Sequence, residues 1–144
     1  MQNVNIYIGV SVKGPRRASG VYIYILECMK GGETVTRKGR GRLEDASENQ
    51  LTLTALAEAL GRLRTSCVLT VHTSCAYVIR ALEDDWTERW KENGWLTSRC
   101  QSVKNAELWQ RVLEGLEPHD CCFSSEPHSY SGWMAEELKK DVKH

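Results

Sequence analysis

Trp86-Thr87-Glu88-Arg89-Trp90 opens a stretch that runs through Asn93-Gly94-Trp95 and closes on Val103-Lys104-Asn105-Ala106-Glu107-Leu108-Trp109. Four of the chain's 5 tryptophans fall within it. Trp86 and Trp90 stand four apart, so on a helix they share one face. Asn93 and Gly94 both tolerate the left-handed backbone of a helix C-cap, and the helix ends there. Asn105 is placed to N-cap the next helix, along which Leu108, Trp109 and Val112 recur at helical spacing. The reading is helix, break, loop, helix, with aromatics gathered at the break. Core packing is the plain alternative for each of these rings.

Upstream, Cys75 to Leu82 reads as a short helix after an apolar strand, Cys67 to Thr73. Before it, Ser47 and Gln50 form a capping-box pair. Leu53, Leu56, Leu60 and Leu63 follow at helical spacing and predict a helix from about 48 to about 63. At the start, Val4, Ile6, Ile8, Val10 and Val12 alternate with polar or small residues, the period of a strand. Lys13-Gly14-Pro15 is a turn, with Arg16 and Arg17 beside it. Val21 to Leu26 is a second strand and Thr34 to Lys38 a third. Three strands so closely spaced imply an antiparallel meander. Downstream, Asp120 to Phe123 reads as a short strand and Trp133 to Val142 as an amphipathic helix. Three strands followed by alternating helix and strand make an α/β protein, with 1–144 one domain.

Charge divides the chain. Residues 1–80 hold 11 Lys and Arg against 6 Asp and Glu, a balance of +5, while residues 81–144 hold 8 against 13, a balance of −5. A protein that relied on phosphate attraction would usually be basic overall, so a local patch is the most this chain offers. No apolar run approaches the roughly 20 residues of a membrane helix. The first residues lack the basic and apolar parts of a secretion signal. The 6 cysteines show no CxxC spacing and mostly fall in apolar runs, as reduced core thiols do. A cytoplasmic protein with no membrane association is the expectation.

The element order and the tryptophan stretch together resemble type 1 ribonuclease H over nearly the whole chain. The likeness is densest in Tyr77-Val78, Trp86, Trp90, Asn93-Gly94-Trp95, Val103-Lys104-Asn105 and Leu108-Trp109-Gln110. It implies a ribonuclease H-like fold: a five-stranded mixed sheet flanked by helices, its first three strands antiparallel and its first strand central. It also implies cleavage of the RNA strand of RNA–DNA hybrids by four carboxylates that hold two magnesium ions.

The flanks locate those four positions. The strand-one carboxylate falls at Gly9, within Tyr7-Ile8-Gly9-Val10-Ser11. The first-helix carboxylate falls at Thr52, after Asn49-Gln50-Leu51. The third falls at Ser74, between Thr73 and Cys75-Ala76-Tyr77-Val78. The last falls at Glu136, before Glu137-Leu138. Magnesium takes hard anionic oxygens, and one carboxylate cannot neutralise two such ions. Loss of the metal, and of hydrolysis with it, is therefore expected.

The family's binding positions are better kept. By resemblance, Ser47 and Asn105 match residues that hold a DNA phosphate, with Gln50 standing where the family has a basic residue. Asn49 matches an asparagine that touches the RNA. Trp86 and Trp90 match the channel tryptophans, and His128 stands near the place of a mobile histidine. The helix that bears these two tryptophans and its following loop are basic in the bacterial relatives, but here they carry Glu83, Asp84, Asp85, Glu88 and Glu92 against Arg89, Lys91 and Arg99. Weak binding of a hybrid or another nucleic acid is the expectation. The rivals are a divergent nuclease that recruits Glu136, Glu126, Asp120 or Glu48, and a structural or protein-binding domain. Arg37, Lys38, Arg40 and Arg42 read as a solvated strand end, with a nucleic-acid patch as the alternative. His119, Asp120, Cys121, Cys122, Glu126 and His128 mix metal-ligand types, but at no structural zinc spacing. A Cys75–His72 nucleophilic pair lacks an orienting third group.

Overall fold

The alternation at the start of the chain divides β1 (Gln2–Val10) between two layers. Val4, Ile6, Ile8 and Val10 are buried beneath one set of helices. Tyr7 belongs to a second, smaller cluster on the other face, with Ile23, Ile25 and Met134. The architecture comes from a computed structural model, which describes residues 1–97 and 99–142. β2 (Ala18–Lys30) and β3 (Glu33–Ala46) complete the antiparallel meander, and β4 (Cys67–His72) and β5 (Asp120–Ser124) add parallel strands. The order is β3-β2-β1-β4-β5, so β1 is central as expected. Its register sets Tyr7 opposite Ile25 on one side and His72 on the other.

The helices are α1 (Glu48–Leu60), α2 (Ala76–Glu83), α3 (Trp86–Glu92), α4 (Ala106–Leu116) and α5 (Ser131–Val142). α1 is buried on nearly every side, including Leu51, Leu53, Leu56 and Leu60, because the sheet and α4 both press on it. The crossing with α4 is close: a Cβ on Gly115 would meet Leu60 at 3.0 Å. α5 lies on the opposite face, against β1 and β2. Among the described residues, no helix is long and apolar enough to cross a membrane.

Several expected boundaries shift. α1 stops at Leu60, because Gly61 caps it and the next two amides bond three residues back, in tighter turns. β3 runs far beyond Lys38, to Ala46. Gly39 and Gly41, just beyond the expected end, are the reason it can continue. The rings of Tyr24 and Tyr22 on β2 lie across their backbone, and a Cβ at either position would meet a ring atom within 2.3 Å. The helix break after Trp90 also differs. Asn93 keeps a φ of −96°, and the left-handed residues are Gly94 and Trp95, both at 64°.

Asn105 occupies the N-cap position of α4 but makes no side-chain cap bond. Its φ of 61° places it in the left-handed region, not the extended conformation from which a capping side chain reaches the next turn. Ser47 does cap α1: its φ and ψ are extended, and its Oγ accepts the Gln50 amide at 3.1 Å.

Candidate nucleic-acid site

The C-terminal ends of β1 and β4 meet β5 and α5 around a cleft of about 320 Å³. Gly9 and Ser74 line it, as do Lys13, Glu126, His128, Met134 and Leu138. α5 presents Met134 and Leu138, one helical turn apart, to Gly9. A Cβ on Gly9 would find Met134 Sδ at 3.1 Å and Leu138 Cδ1 at 3.4 Å.

Two of the positions located by flanks lie outside this lining. Thr52 is fully buried in α1, and its hydroxyl donates to the Glu48 carbonyl at 2.8 Å. Glu136 is exposed on α5, on a face that carries its ion pair with Lys139 at 3.9 Å. Ser74 is exposed at the cleft edge, where its Oγ accepts from Lys13 Nζ at 2.7 Å. Lys13 is also 4.0 Å from Glu48 Oε2, and Glu48 Oε1 accepts the Gly14 amide at 3.2 Å. The site thus contains a tethered ammonium that sequence reasoning passed over as part of a turn. No signal in the residue spacing pointed to it.

Beside the cleft, Tyr7 gathers three rings. His72 stacks on it with centroids 4.4 Å apart and planes at 16°, His128 lies at 4.5 Å, and Tyr130 at 4.9 Å. Glu27 collects the phenols: Tyr7 Oη donates at 3.2 Å and Tyr130 Oη at 2.6 Å. The hydrogen bond to Glu27 pushes the Tyr130 phenol up to about 12. Burial lowers both histidines below their ordinary value, and His72 depresses His128 further. His72 is also paired with Asn5 Oδ1 at 3.1 Å.

The other positions singled out by resemblance sit along α1 and the tryptophan stretch. Asn49 Oδ1 accepts from Cys75 Sγ at 3.2 Å, so the N-terminal ends of α1 and α2 are tied at that point. Burial raises the Cys75 thiol, and His72 contacts Tyr7 and Asn5 instead, so the two form no nucleophilic pair. Trp90 is packed between Trp95 (6.3 Å) and the fully buried Trp109 (5.5 Å), which makes it largely a core ring. Trp86 is half-buried and also packs on the edge of the main core, with the exposed Tyr77 edge-on to its ring at 5.7 Å. Of the β3 cations, Lys38 lies 4.6 Å over the Trp133 ring and Arg40 pairs with Glu137 at 3.5 Å. His119 Nδ1 accepts the Cys67 amide, and among the described residues no three His, Cys, Asp or Glu side chains gather as a metal site.

This sheet order, with α1 and α5 on opposite faces, defines a ribonuclease H-like α/β protein. The RNase H family model matches residues 1–127, and the chain belongs to that family. It is 32% identical over 123 residues to the ribonuclease H of Clostridium botulinum (strain Hall), covering 85% of this chain and 81% of that one. It is 38% identical over 84 residues to the ribonuclease H of Caldicellulosiruptor saccharolyticus, where the match spans 58% of each chain. Among solved structures, LC9-RNase H1, described as a type 1 RNase H with the type 2 active-site motif, superposes with a TM-score of 0.80 at 18% identity, covering 99% of this chain and 73% of that one. LC11-RNase H1 in complex with an RNA/DNA hybrid gives 0.64 at 12% identity, covering 96% of this chain and 99% of the other. At those identities the structures speak for the fold.

Proposed function

We propose that this chain is a non-catalytic member of the ribonuclease H family that binds nucleic acid, an RNA–DNA hybrid in the first instance. The observation that carries the reading is the content of the cleft. Where a two-metal centre needs clustered carboxylates, the lining presents one, Glu126, together with the ammonium of Lys13 and the apolar chains of Met134 and Leu138. Magnesium requires anionic oxygens in near-octahedral array, and an ammonium hydrogen-bonded to Ser74 repels a divalent ion. These residues do not fit the family's metal pair, and no hydrolytic step is derived through it.

The fold supports the binding half. Ser47, Asn49 and Gln50 open α1 near the cleft, Asn105 begins α4, and Trp86 keeps a partly exposed aromatic face. Another protein of this fold, LC11-RNase H1, has been seen with an RNA/DNA hybrid. The acidic run Glu83-Asp84-Asp85 ahead of α3 and zero net charge limit how many phosphates can be met at once, so the affinity belongs in the non-specific range, roughly micromolar to hundred-micromolar. Six free thiols fit a reducing compartment, and we place the protein in the cytoplasm.

The test is an anisotropy titration of labelled hybrid with wild type, Trp86→Ala and Asn105→Ala. Both variants should bind several-fold more weakly while melting within a few degrees of wild type. No wild-type binding at low salt would overturn the proposal and favour a protein partner.

A further inference from the structure

We infer that the cleft beside Gly9 is a phosphodiester site in which the Lys13 ammonium supplies the positive charge, so that a nucleic-acid strand is held there without a divalent cation. This rests on the nucleic-acid-binding reading above and names the contact at its centre.

Lys13 Nζ is fixed at two points, 2.7 Å from Ser74 Oγ and 4.0 Å from Glu48 Oε2. Glu48 is itself held, because its other oxygen accepts the Gly14 amide. The Lys13 side chain nevertheless stays 54% exposed and lines the cleft. An ammonium has three donors and no acceptor, so the Ser74 bond leaves further N–H groups for a ligand. Ser74 Oγ accepts from Lys13, which leaves its own O–H to donate. A cation with a hydroxyl donor beside it is the pair that a phosphate oxygen requires. Ser74 Oγ accepts from the Lys13 ammonium, so the serine is placed as a donor to a ligand and not as an activated nucleophile.

The single carboxylate in the lining, Glu126, opposes an anion there. Its removal should therefore strengthen binding, an effect opposite to that expected if Glu126 were a remnant metal ligand. A lysine that meets one phosphate contributes about −0.9 to the slope of log affinity against log salt.

The experiment is a titration of labelled RNA–DNA hybrid between about 50 and about 200 mM salt, in EDTA or in magnesium. It uses wild type, Lys13→Met, Lys13→Arg, Glu126→Gln and Trp86→Ala, each checked by thermal melting. Lys13→Met should weaken binding about five- to tenfold and flatten the salt slope by about one contact, while Lys13→Arg keeps most of the affinity. Glu126→Gln should bind more tightly, and wild type should bind at least as well in EDTA as in magnesium. Inorganic phosphate should compete no better than chloride of equal ionic strength. A Lys13→Met protein with wild-type affinity and slope overturns the inference, and the hybrid-binding reading then still stands if Trp86→Ala weakens binding. Magnesium-dependent tightening that survives in Lys13→Met also overturns it. Selective displacement by inorganic phosphate would make the site one for the free anion. Failure of wild type to bind hybrid removes both readings together.

Discussion

Met134 Sδ lies where a side chain on Gly9 would have to go. A Cβ built on Gly9 meets the sulfur at 3.1 Å, closer than ordinary contact, and touches Leu138 Cδ1 at 3.4 Å. The space in front of Gly9 is thus filled from α5. Gly9→Asp should overpack this layer and lose about 1–3 kcal/mol in urea unfolding, and adding Met134→Ala should return part of that. Equal stability of wild type and Gly9→Asp would show that the two elements are not pressed together.

The same contact bears on rebuilding a metal site. Ser74→Asp is tolerated, because Lys13 Nζ already faces that position at 2.7 Å. Thr52→Glu places a carboxylate at a fully buried position whose hydroxyl is bonded to the Glu48 carbonyl. The triple Gly9→Asp, Thr52→Glu, Ser74→Asp should therefore take up manganese in calorimetry only after Met134→Ala and Lys13→Met open the cleft and remove its cation. Tight uptake by the triple alone would contradict this packing account.

Acid should loosen the Tyr7 cluster. His72 and His128 titrate below their ordinary value of about 6.5, chiefly because they are buried, so the unfolded chain binds protons more readily than the folded one. Their contribution to stability is complete above the unfolded value. It is lost as pH falls from about 6.5 through the lower folded values. Urea midpoints measured from about pH 8 to about pH 5 should fall with acid, and His128→Asn should fall less steeply over that window. A midpoint that rises toward pH 5, or one equally steep in His128→Asn, would contradict the burial of these rings.

Trp86 and Trp90 are both half-buried on the core, but it is Trp90 whose ring meets Trp109. Trp109 is fully buried, and its Nε1 has no hydrogen-bond partner among the described residues. Trp109→Ala should cost about 3–5 kcal/mol. Trp109→Phe removes the unpaired N–H along with some contact area and should cost clearly less. Trp90→Ala, which uncovers Trp109, should also lower the melting temperature, whereas Trp86→Ala should barely move it. Equal losses for Trp86 and Trp90 would show that the packing is drawn wrongly.

How much of this was legible in the sequence varies with the range of the interaction. Val4, Ile6, Ile8 and Val10 announced β1, and the spacing of Leu53, Leu56 and Leu60 announced α1, because periodicity is local. The run of β3 past Lys38 was not legible, because what lets the strand pass through Gly39 and Gly41 is the Tyr24 and Tyr22 rings on its neighbour. The site was legible only as positions with matching flanks. Which face of α5 meets Gly9 is set by packing, so Glu136 points away while Met134 and Leu138, on the adjoining face, fill the space. The bond from Lys13 to Ser74 spans 61 residues, and nothing in the order of residues discloses it.

The most direct test of the central claim is a single incubation of labelled RNA–DNA hybrid with saturating protein, in magnesium and separately in manganese, with binding read by anisotropy and strand integrity by gel from the same sample. The account predicts a bound, intact hybrid under both metals. Metal-dependent cleavage of the RNA strand that disappears in Glu126→Gln or Glu136→Ala would contradict it, because it would place a working carboxylate centre where the structure sets an ammonium and a methionine.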